Sequence, residues 1–320
     1  MSDKVGESYL MQRQASLQTV LALEAGGPAS MAAMHQLRDS GLPLRIIGAD
    51  MDPNSAAHWL ADEFYPVLPA SSPGYAQEIA DLIKEHEVSA VLPSFHFGMK
   101  EISELKTPVF LNDFIAGLLC QDKWEFYKWC LDKGYDVPQT SLLGSDSVPD
   151  GALILKPRFG AGAKGNFIVK DQELPGLQPW LQARDEYLAQ EFIIGEQWVV
   201  DAMRHADNFV GCTTARVDTH RTGHAVAVEV QENPELTDLT QNILEDLDYD
   251  GPANLDVIKD TAGKYVILEV NPRFGGTIRF SHAAGVNWPA YLLSGQEKFV
   301  NKPIEGKYSI LSRVVRLELP

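Results

Sequence analysis

Residues 251–277 read GPANLDVIKDTAGKYVILEVNPRFGGT, and the rest of the chain is interpreted outward from them. Two apolar, β-branched runs, Ala253 to Ile258 and Lys264 to Val270, flank the turn-forming residues Asp260-Thr261-Ala262-Gly263, so the spacing predicts a hairpin. In an antiparallel pair Asp256 can lie opposite Glu269, and strand alternation puts Glu269 and Asn271 on one face. Two carboxylates and an amide oxygen are hard ligands suited to Mg2+ shared with a phosphate. A solvated acidic edge is the plainer reading of Asp256 alone. Glu269 is different, because burying it inside Val-Ile-Leu-Glu-Val without a partner is costly, and a cation removes that cost. Arg273 follows two residues later, on the same face if the strand persists, and would set a fixed positive charge beside a reacting phosphoryl or acyl group.

This stretch resembles the metal-binding segment of the ATP-grasp superfamily, in which an acidic residue precedes a Glu-x-Asn pair on the next strand. The Asn271-Pro272-Arg273 continuation is similar to the carbamoyl-phosphate-synthetase and biotin-carboxylase branch. The Asp thirteen residues before the Glu is closer to the D-alanine–D-alanine ligase branch.

At 320 residues the chain has room for two or three units with their own cores. Hydrophobic content of 45% and charged content of 22% are ordinary for a globular protein, and no apolar run is long enough to cross a bilayer. The polar stretch from Met1 to Gln14 does not resemble a signal peptide. A net charge of -17 argues against nucleic acid as a partner and requires any ATP site to gather its cations locally. Cys120, Cys130 and Cys212 form no CxxC or Cys/His cluster, which argues against zinc and fits core thiols in a reducing cytoplasm.

Residues 1–16 carry no period and read as a lead-in arm. A strand at Thr19–Leu23, the turn Ala25-Gly26-Gly27-Pro28, a helix through Met31–Asp39 and a strand at Leu44–Ile47 ending in Asp50 make half of a Rossmann-like unit. The missing third glycine makes a nicotinamide site a poor reading and a tight turn the default. The alternation continues with a helix near Ala56–Ala61, a strand at Tyr65–Leu68, a helix at Tyr75–His86 and a strand at Ala90–Leu92. It predicts a parallel, doubly wound sheet to about residue 112. Ser94, Phe95 and His96 fall at a carboxyl strand end, where ligands sit on such sheets. This unit looks like the preATP-grasp domain of the family.

Asp122-Lys123 opens a helix in which Trp124, Tyr127 and Leu131 are spaced to pack inward, and Gly134 is placed to end it. The resemblance implies that Lys123, ahead of Gly134-x-x-x-Pro138, contacts ATP phosphates. In Ile154-Leu-Lys156-Pro-Arg158-Phe-Gly160-Ala-Gly162-Ala-Lys164-Gly165, a strand carries Lys156 toward a glycine-rich hairpin tip. Its backbone N–H groups can approach phosphate oxygens closely. It is not a Walker A loop. The run resembles the family's phosphate-covering loop, with Lys156 as the strand lysine and Gly160, Gly162, Lys164 and Gly165 in the loop. Glu191, Phe192, Ile193, Ile194 and Glu196 look like the hinge that holds adenine and ribose, Glu196 being suited to a diol.

Strands at Trp198–Met203, Phe209–Val217 and Ala225–Val230 offer Asp201, Arg216 and Glu229 as inward candidates for substrate. A helix over Leu236–Leu247 leads back to the hairpin. Phe274-Gly275-Gly276-Thr277 is a compact turn able to offer backbone donors, and Arg279, Ser281 and His282 follow as acceptor-site candidates. A helix at Val286–Ser294 and a strand at Ile310–Leu317 complete the pattern. No internal repeat and no further C-terminal domain is visible, unlike a whole carbamoyl phosphate synthetase large subunit or biotin carboxylase.

The expected fold is α/β and α+β: a Rossmann-like preATP-grasp domain at 1–112, a small lid subdomain at 113–195 and a large subdomain with the metal and catalytic site at 196–320. The resemblance implies an ATP-dependent carboxylate–amine ligase. It would use one or two Mg2+ (Mn2+ as substitute) held by Asp256, Glu269 and Asn271, with Arg273 and Lys156 catalytic and Gly276, Thr277 and Arg279 near substrate. Small carboxylates and amines are the expected partners, with no nucleic acid or membrane, a cytoplasmic location and room for a homodimer. The alternatives are phosphorylation of bicarbonate or carbamate, a kinase, and a nucleotide-binding regulatory subunit.

Overall fold

The computed structural model describes residues 17–105, 111, 113–145, 148–170, 176, 187–221 and 224–310. The arm expected at 1–16 and all but the first residue of the strand expected at 310–317 lie outside them. Three sheets organise the described residues.

The first sheet contains β1 (Gln18–Ala22), β2 (Leu44–Asp50), β3 (Glu63–Pro66) and β4 (Ala90–Val91), all parallel, in the order β3-β2-β1-β4. Helices α1 (Pro28–Asp39) and α2 (Tyr75–Glu85) cover its two faces. Burial on both sides explains the unbroken apolar run Val20–Leu23: Val20 and Ala22 pack with Ala33, Met34 and Leu37 of α1, while Leu21 and Leu23 pack with Ile79 and Leu82 of α2. The helix expected near Ala56–Ala61 is a single 3-10 turn, Ala56–Trp59, capped by Ser55. A short helix, α3 (Met99–Ser103), follows the sheet.

Helices α4 (Phe114–Gln121) and α5 (Lys123–Lys133) lead to the second sheet, order β5-β8-β6-β7, made of β5 (Thr140–Leu142), β6 (Ala152–Pro157), β7 (Phe167–Lys170) and β8 (Tyr187–Glu191). On α5 the inward residues are Phe126 and Cys130, not the expected Trp124, Tyr127 and Leu131. Trp124 and Tyr127 stack on each other at 5.5 Å, and Leu131 is 53% exposed. This helix has aromatic residues on several faces, so spacing alone leaves its rotation open. The Asp122 cap, which accepts from Trp124 N and Glu125 N, helps set where the helix begins.

The third sheet is six-stranded, order β13-β12-β9-β10-β11-β14. It comprises β9 (Gly195–His205), β10 (Asn208–Arg221), β11 (His224–Val230), β12 (Gly251–Asp260), β13 (Tyr265–Asn271) and β14 (Gly306–Ser309). Helix α6 (Pro234–Asp246), with α4 and α5, packs on one side of it: Leu236, Ile243, Ala116, Phe126 and Cys130 share a core with Val200, Ala253, Leu255 and Ile267. Helices α7 (Ile278–Ala283) and α8 (Trp288–Ser294) pack on α1 of the first sheet, and α7 also sets Phe280 in a core with Val199, Ala215 and Val228 of the large sheet. Gln36 ties the two regions together, donating to Ile278 O at 2.9 Å and accepting from Asn287 Nδ2 at 2.8 Å. Among the described residues no helix is long and apolar enough to cross a membrane.

Gly134 ends α5 at φ 79°, with nothing within 4 Å of where a Cβ would stand. Gly134→Ala therefore meets only backbone strain. The expected loss is about 1 kcal/mol, read as a small drop in thermal midpoint with activity intact.

Candidate active site

The hairpin places its acidic pair as its sequence predicts: Asp256 on β12 is the register partner of Glu269 on β13. Asn271 Nδ2 donates to Glu269 Oε1 at 3.1 Å, which puts both on one face. The strand stops at Asn271, yet Arg273 still returns to that face, its Nη2 donating to Asn271 Oδ1 at 2.9 Å. Arg273 Nη1 donates to Phe274 O at 2.8 Å.

Lys156 comes from the end of β6 and is only 7% exposed. Burial lowers its pKa to about 8, opposed by the charge of Glu269 and assisted by Lys123. Lys123, at the first turn of α5, has its pKa lowered by burial, against the pull of Glu269 and Asp122, and its Nζ donates to Gly160 O at 2.7 Å. Glu269 is thus a shared counter-ion. Burial pushes its carboxyl up, but Lys123, Lys156, the Asn271 hydrogen bond and Arg273 together hold it below the usual range. Asp256 moves the other way, to about 8, through burial and the neighbouring charge of Glu269. Two half-buried carboxylates facing each other, one held ionised and one forced toward neutrality, form a site that a divalent cation would complete. Among the described residues no three His, Cys, Asp or Glu side chains converge as a metal cluster. A cation here would rest on two carboxylates, the Asn271 amide and oxygens brought by its phosphate partner.

The loop between β6 and β7 carries Gly160 close to Lys123, while Gly162, Lys164 and Gly165 stand exposed at its tip. Arg158 turns away from the tip to clasp Asp122, with Nε on Oδ1 at 2.7 Å and Nη2 on Oδ2 at 2.6 Å. Glu191 closes β8 and accepts from Gln139 N at 3.3 Å. Phe192 and Ile194 are exposed apolar side chains on the short link to β9, with Ile193 half-buried between them and Glu196 exposed at its far end. The glycine loop and this link both edge the second sheet.

Arg216 and Glu229 are register partners across β10 and β11 and form an ion pair with each other, which Asp218 joins. Neither is brought among Asp256, Glu269 and Asn271 by a contact between them. Thr277 spends its hydroxyl inside the fold, donating to Asp201 at 2.7 Å. Gly276 O accepts from Arg279 Nε at 2.6 Å, and Arg279 Nη2 reaches Pro28 O at 3.4 Å, so this pair lies against the start of α1. Ser94 is buried against Ser30, and Phe95 is core, so neither faces a ligand. His96 is held neutral, its pKa lowered to about 4 by burial and by the charges of Arg273 and Lys123. His282 bonds Asp39 rather than the site.

Sequence reasoning missed Glu24. It follows β1 with a left-handed backbone (φ 46°), accepts from His96 N at 3.1 Å and Phe97 N at 2.6 Å, and feels Arg273. The signal available was an acid at a strand end immediately before Gly26-Gly27. Asn254 was also missed; it donates to Asp201 Oδ1 at 3.0 Å.

Asp201 has its pKa raised from 3.8 to about 6 by burial, against the hydrogen bonds from Thr277, Ser281 and Asn254. The folded-state value lies above the unfolded one. Its contribution is therefore fully present below about pH 4 and lost as pH rises through about 6. Asp201→Asn is expected to remove that slope, seen by comparing thermal midpoints of the two chains from about pH 4 to pH 7. Parallel curves would contradict the assignment.

The sequence matches none of the curated proteins it was compared with. Family models match in two places: an ATP-grasp domain over residues 120–277 and a PylC-like N-terminal domain over residues 29–109. The fold is similar to N5-carboxyaminoimidazole synthetase from Staphylococcus aureus complexed with ADP, at 14% identity and TM-score 0.73, covering 87% of this chain and 78% of that one. It is similar too to the biotin carboxylase domain of Hydrogenobacter thermophilus 2-oxoglutarate carboxylase, a dimer in complex with MgADP, ADP and bicarbonate (16%, TM-score 0.69, 87% and 70%). A third is L-amino acid ligase from Bacillus licheniformis (14%, TM-score 0.66, 87% and 73%). The chain thus carries an ATP-grasp domain at residues 120–277, behind a PylC-like N-terminal domain.

Proposed function

We propose that the protein is an ATP-dependent ligase that activates a carboxylate as an acylphosphate and passes it to an amine or related nucleophile, releasing ADP and phosphate. The observation that carries this reading is Glu269, half-buried among the charges of Lys123, Lys156 and Arg273 and facing Asp256 across the hairpin. Lys156, Lys123 and the 160–165 loop would hold the phosphates of ATP, and the 191–196 link its base and ribose. Asp256, Glu269 and Asn271 would hold one or two Mg2+, with Mn2+ an acceptable replacement. When bound, the metal supplies positive charge to the transferring phosphoryl oxygens. Arg273, fixed by Asn271 and the Phe274 carbonyl, faces the charge that develops as the carboxylate attacks. Neutral His96 beside these cations adds no further repulsion to an incoming amine.

The chain divides, on this reading, near residues 112 and 195, with α4 and α5 packing across to the large sheet. We place it in the cytoplasm, acting on small molecules and able to form homodimers. The acceptor side is assigned to Gly276, Thr277 and Arg279 at the α1 contact, more loosely to Arg216 and Glu229. A second reading, bicarbonate as the activated acid, draws on the bicarbonate in the biotin carboxylase domain complex.

The test is ADP release from MgATP with pools of amino acids, small carboxylic acids or bicarbonate, with hydroxylamine present. A hydroxamate formed with one pool supports the ligase and identifies its acid. Bicarbonate-dependent ADP release without hydroxamate favours the second reading, and a stable phosphorylated product means a kinase instead.

A further inference from the structure

Asp201 stands in the middle of β9, where its neighbours are Val200 and Ala202, both in the apolar core. It is 4% exposed. Its register partners are Asn254 on β12 and Thr213 on β10, and Asn254 in turn is the partner of Asn271 on β13. A polar row therefore crosses the sheet and ends at an expected metal ligand. Both carboxylate oxygens are engaged from within: Oδ1 accepts from Asn254 Nδ2 at 3.0 Å and Thr277 Oγ1 at 2.7 Å, and Oδ2 accepts from Ser281 Oγ at 2.9 Å. These donors come from two places, the sheet and the segment after Arg273.

That segment has little freedom left. Asn254 Nδ2 also donates to Thr277 Oγ1 at 3.0 Å, closing a triangle with Asp201. The Gly275 backbone lies directly on the Asn254 amide, since a Cβ at Gly275 would stand 2.5 Å from Asn254 Cγ. Phe274 N is fixed on Pro93 O at 2.7 Å, and Arg273 Nη1 on Phe274 O. The height of the 274–277 turn above the sheet, and with it the reach of Arg273 to Asn271, is set by where Asn254 and Thr277 are held. Asp201 holds both.

We infer that Asp201 is a positioning residue: it touches no substrate, and it fixes the Arg273–Thr277 turn against the metal-binding hairpin so that Arg273 and the turn's backbone meet the reacting group. This rests on the ligase reading for its chemical consequence but not for its geometry. The ionised carboxylate accepts from all three donors in two directions. Asparagine of the same size keeps one acceptor oxygen and presents an N–H in place of the other, so one of the three donors must turn or let go.

The experiment uses the full chain with Asp201→Asn and, independently, Gly275→Ala. The first readout needs no substrate. Hydrogen exchange followed by mass spectrometry is expected to speed about tenfold or more over 273–281 in both variants, with the first sheet unchanged. The second readout is catalytic: kcat for hydroxamate formation should fall about 100-fold while KM for ATP and the dissociation constant for MgADP stay within about twofold. Unchanged exchange at 273–281 overturns the assignment. So does exchange raised equally in every sheet, or MgADP binding weakened as much as kcat, either of which marks a general packing defect. Should Asp201→Asn fail to fold, Ser281→Ala removes one donor and carries the same readouts. A wild-type chain that binds MgADP but forms no hydroxamate defeats the ligase reading alone, and the exchange result still decides the role of Asp201.

Discussion

Replacing Glu269 with glutamine is expected to lower kcat for Mg2+-dependent ADP formation by about 1000-fold. Glutamine keeps the volume and can still accept from Asn271, so the substitution isolates the charge. Its loss acts twice. A ligand carboxylate becomes a weaker neutral donor, and Lys123, Lys156 and Arg273 lose the counter-ion that lets them share a buried site. Asp256 meanwhile loses its nearest like charge, so its pKa should fall, while burial still holds it above the usual carboxylate range. One charged ligand, Asp256, therefore remains beside the Asn271 amide, and saturation with Mg2+ should need a higher concentration without restoring the rate. Titration of ADP formation with Mg2+ measures both effects. Activity within a few-fold of wild type would remove Glu269 from the metal site.

Lys156→Met is the second large effect, a fall in kcat/KM for ATP of about 100- to 1000-fold. Methionine matches the aliphatic stem, so packing around the end of β6 survives. Stability should change little at pH 7. Burial lowers the lysine pKa to about 8, which means that the folded interior opposes its charge even with Glu269 beside it. The sign is that of a depressed lysine: its folded value lies below the unfolded 10.5, so protonated Lys156 works against folding at neutral pH. Removing it offsets the attraction to Glu269 that is lost. In the wild type, affinity for MgATP should decline as pH rises through about 8, because the ammonium that meets the phosphates gives up its proton. Nucleotide binding followed by fluorescence, alongside thermal melts, separates the two. A large drop in melting temperature with unchanged affinity would make Lys156 a structural lysine.

The local signals were legible because each depends on neighbours in sequence. The apolar runs Ala253–Ile258 and Lys264–Val270 around the turn residues determined the hairpin, and strand alternation gave the common face of Glu269 and Asn271, but the turn alone would set Asp256 opposite Leu268; a bulge between Asp256 and Val257 brings Glu269 there instead. Gly134 ended its helix, and the unbroken run at Val20–Leu23 marked a strand covered on both sides. Where local signals were degenerate, tertiary structure decided. Aromatics on several faces of α5 left its rotation open until packing against the large sheet buried Phe126 and Cys130. Arg158 and Lys164 have the same charge and flank the same glycines, but only the position of Asp122, 36 residues away, takes Arg158 out of the loop.

What the sequence by itself determined was the kind of elements and the chemistry each could bring: a lysine at a strand end, a lysine at a helix start, an acidic pair on a hairpin. Only the tertiary structure decided that Lys123, Lys156 and Arg273 gather around Glu269 and that these charges shift one another's protonation. It also decided that Glu24, from the turn after β1, and Asp201, from β9, come within reach of the Arg273 charge. Burial and charge coupling depend on distance in space, and a strand's period reports only which face a side chain takes, not what meets it there.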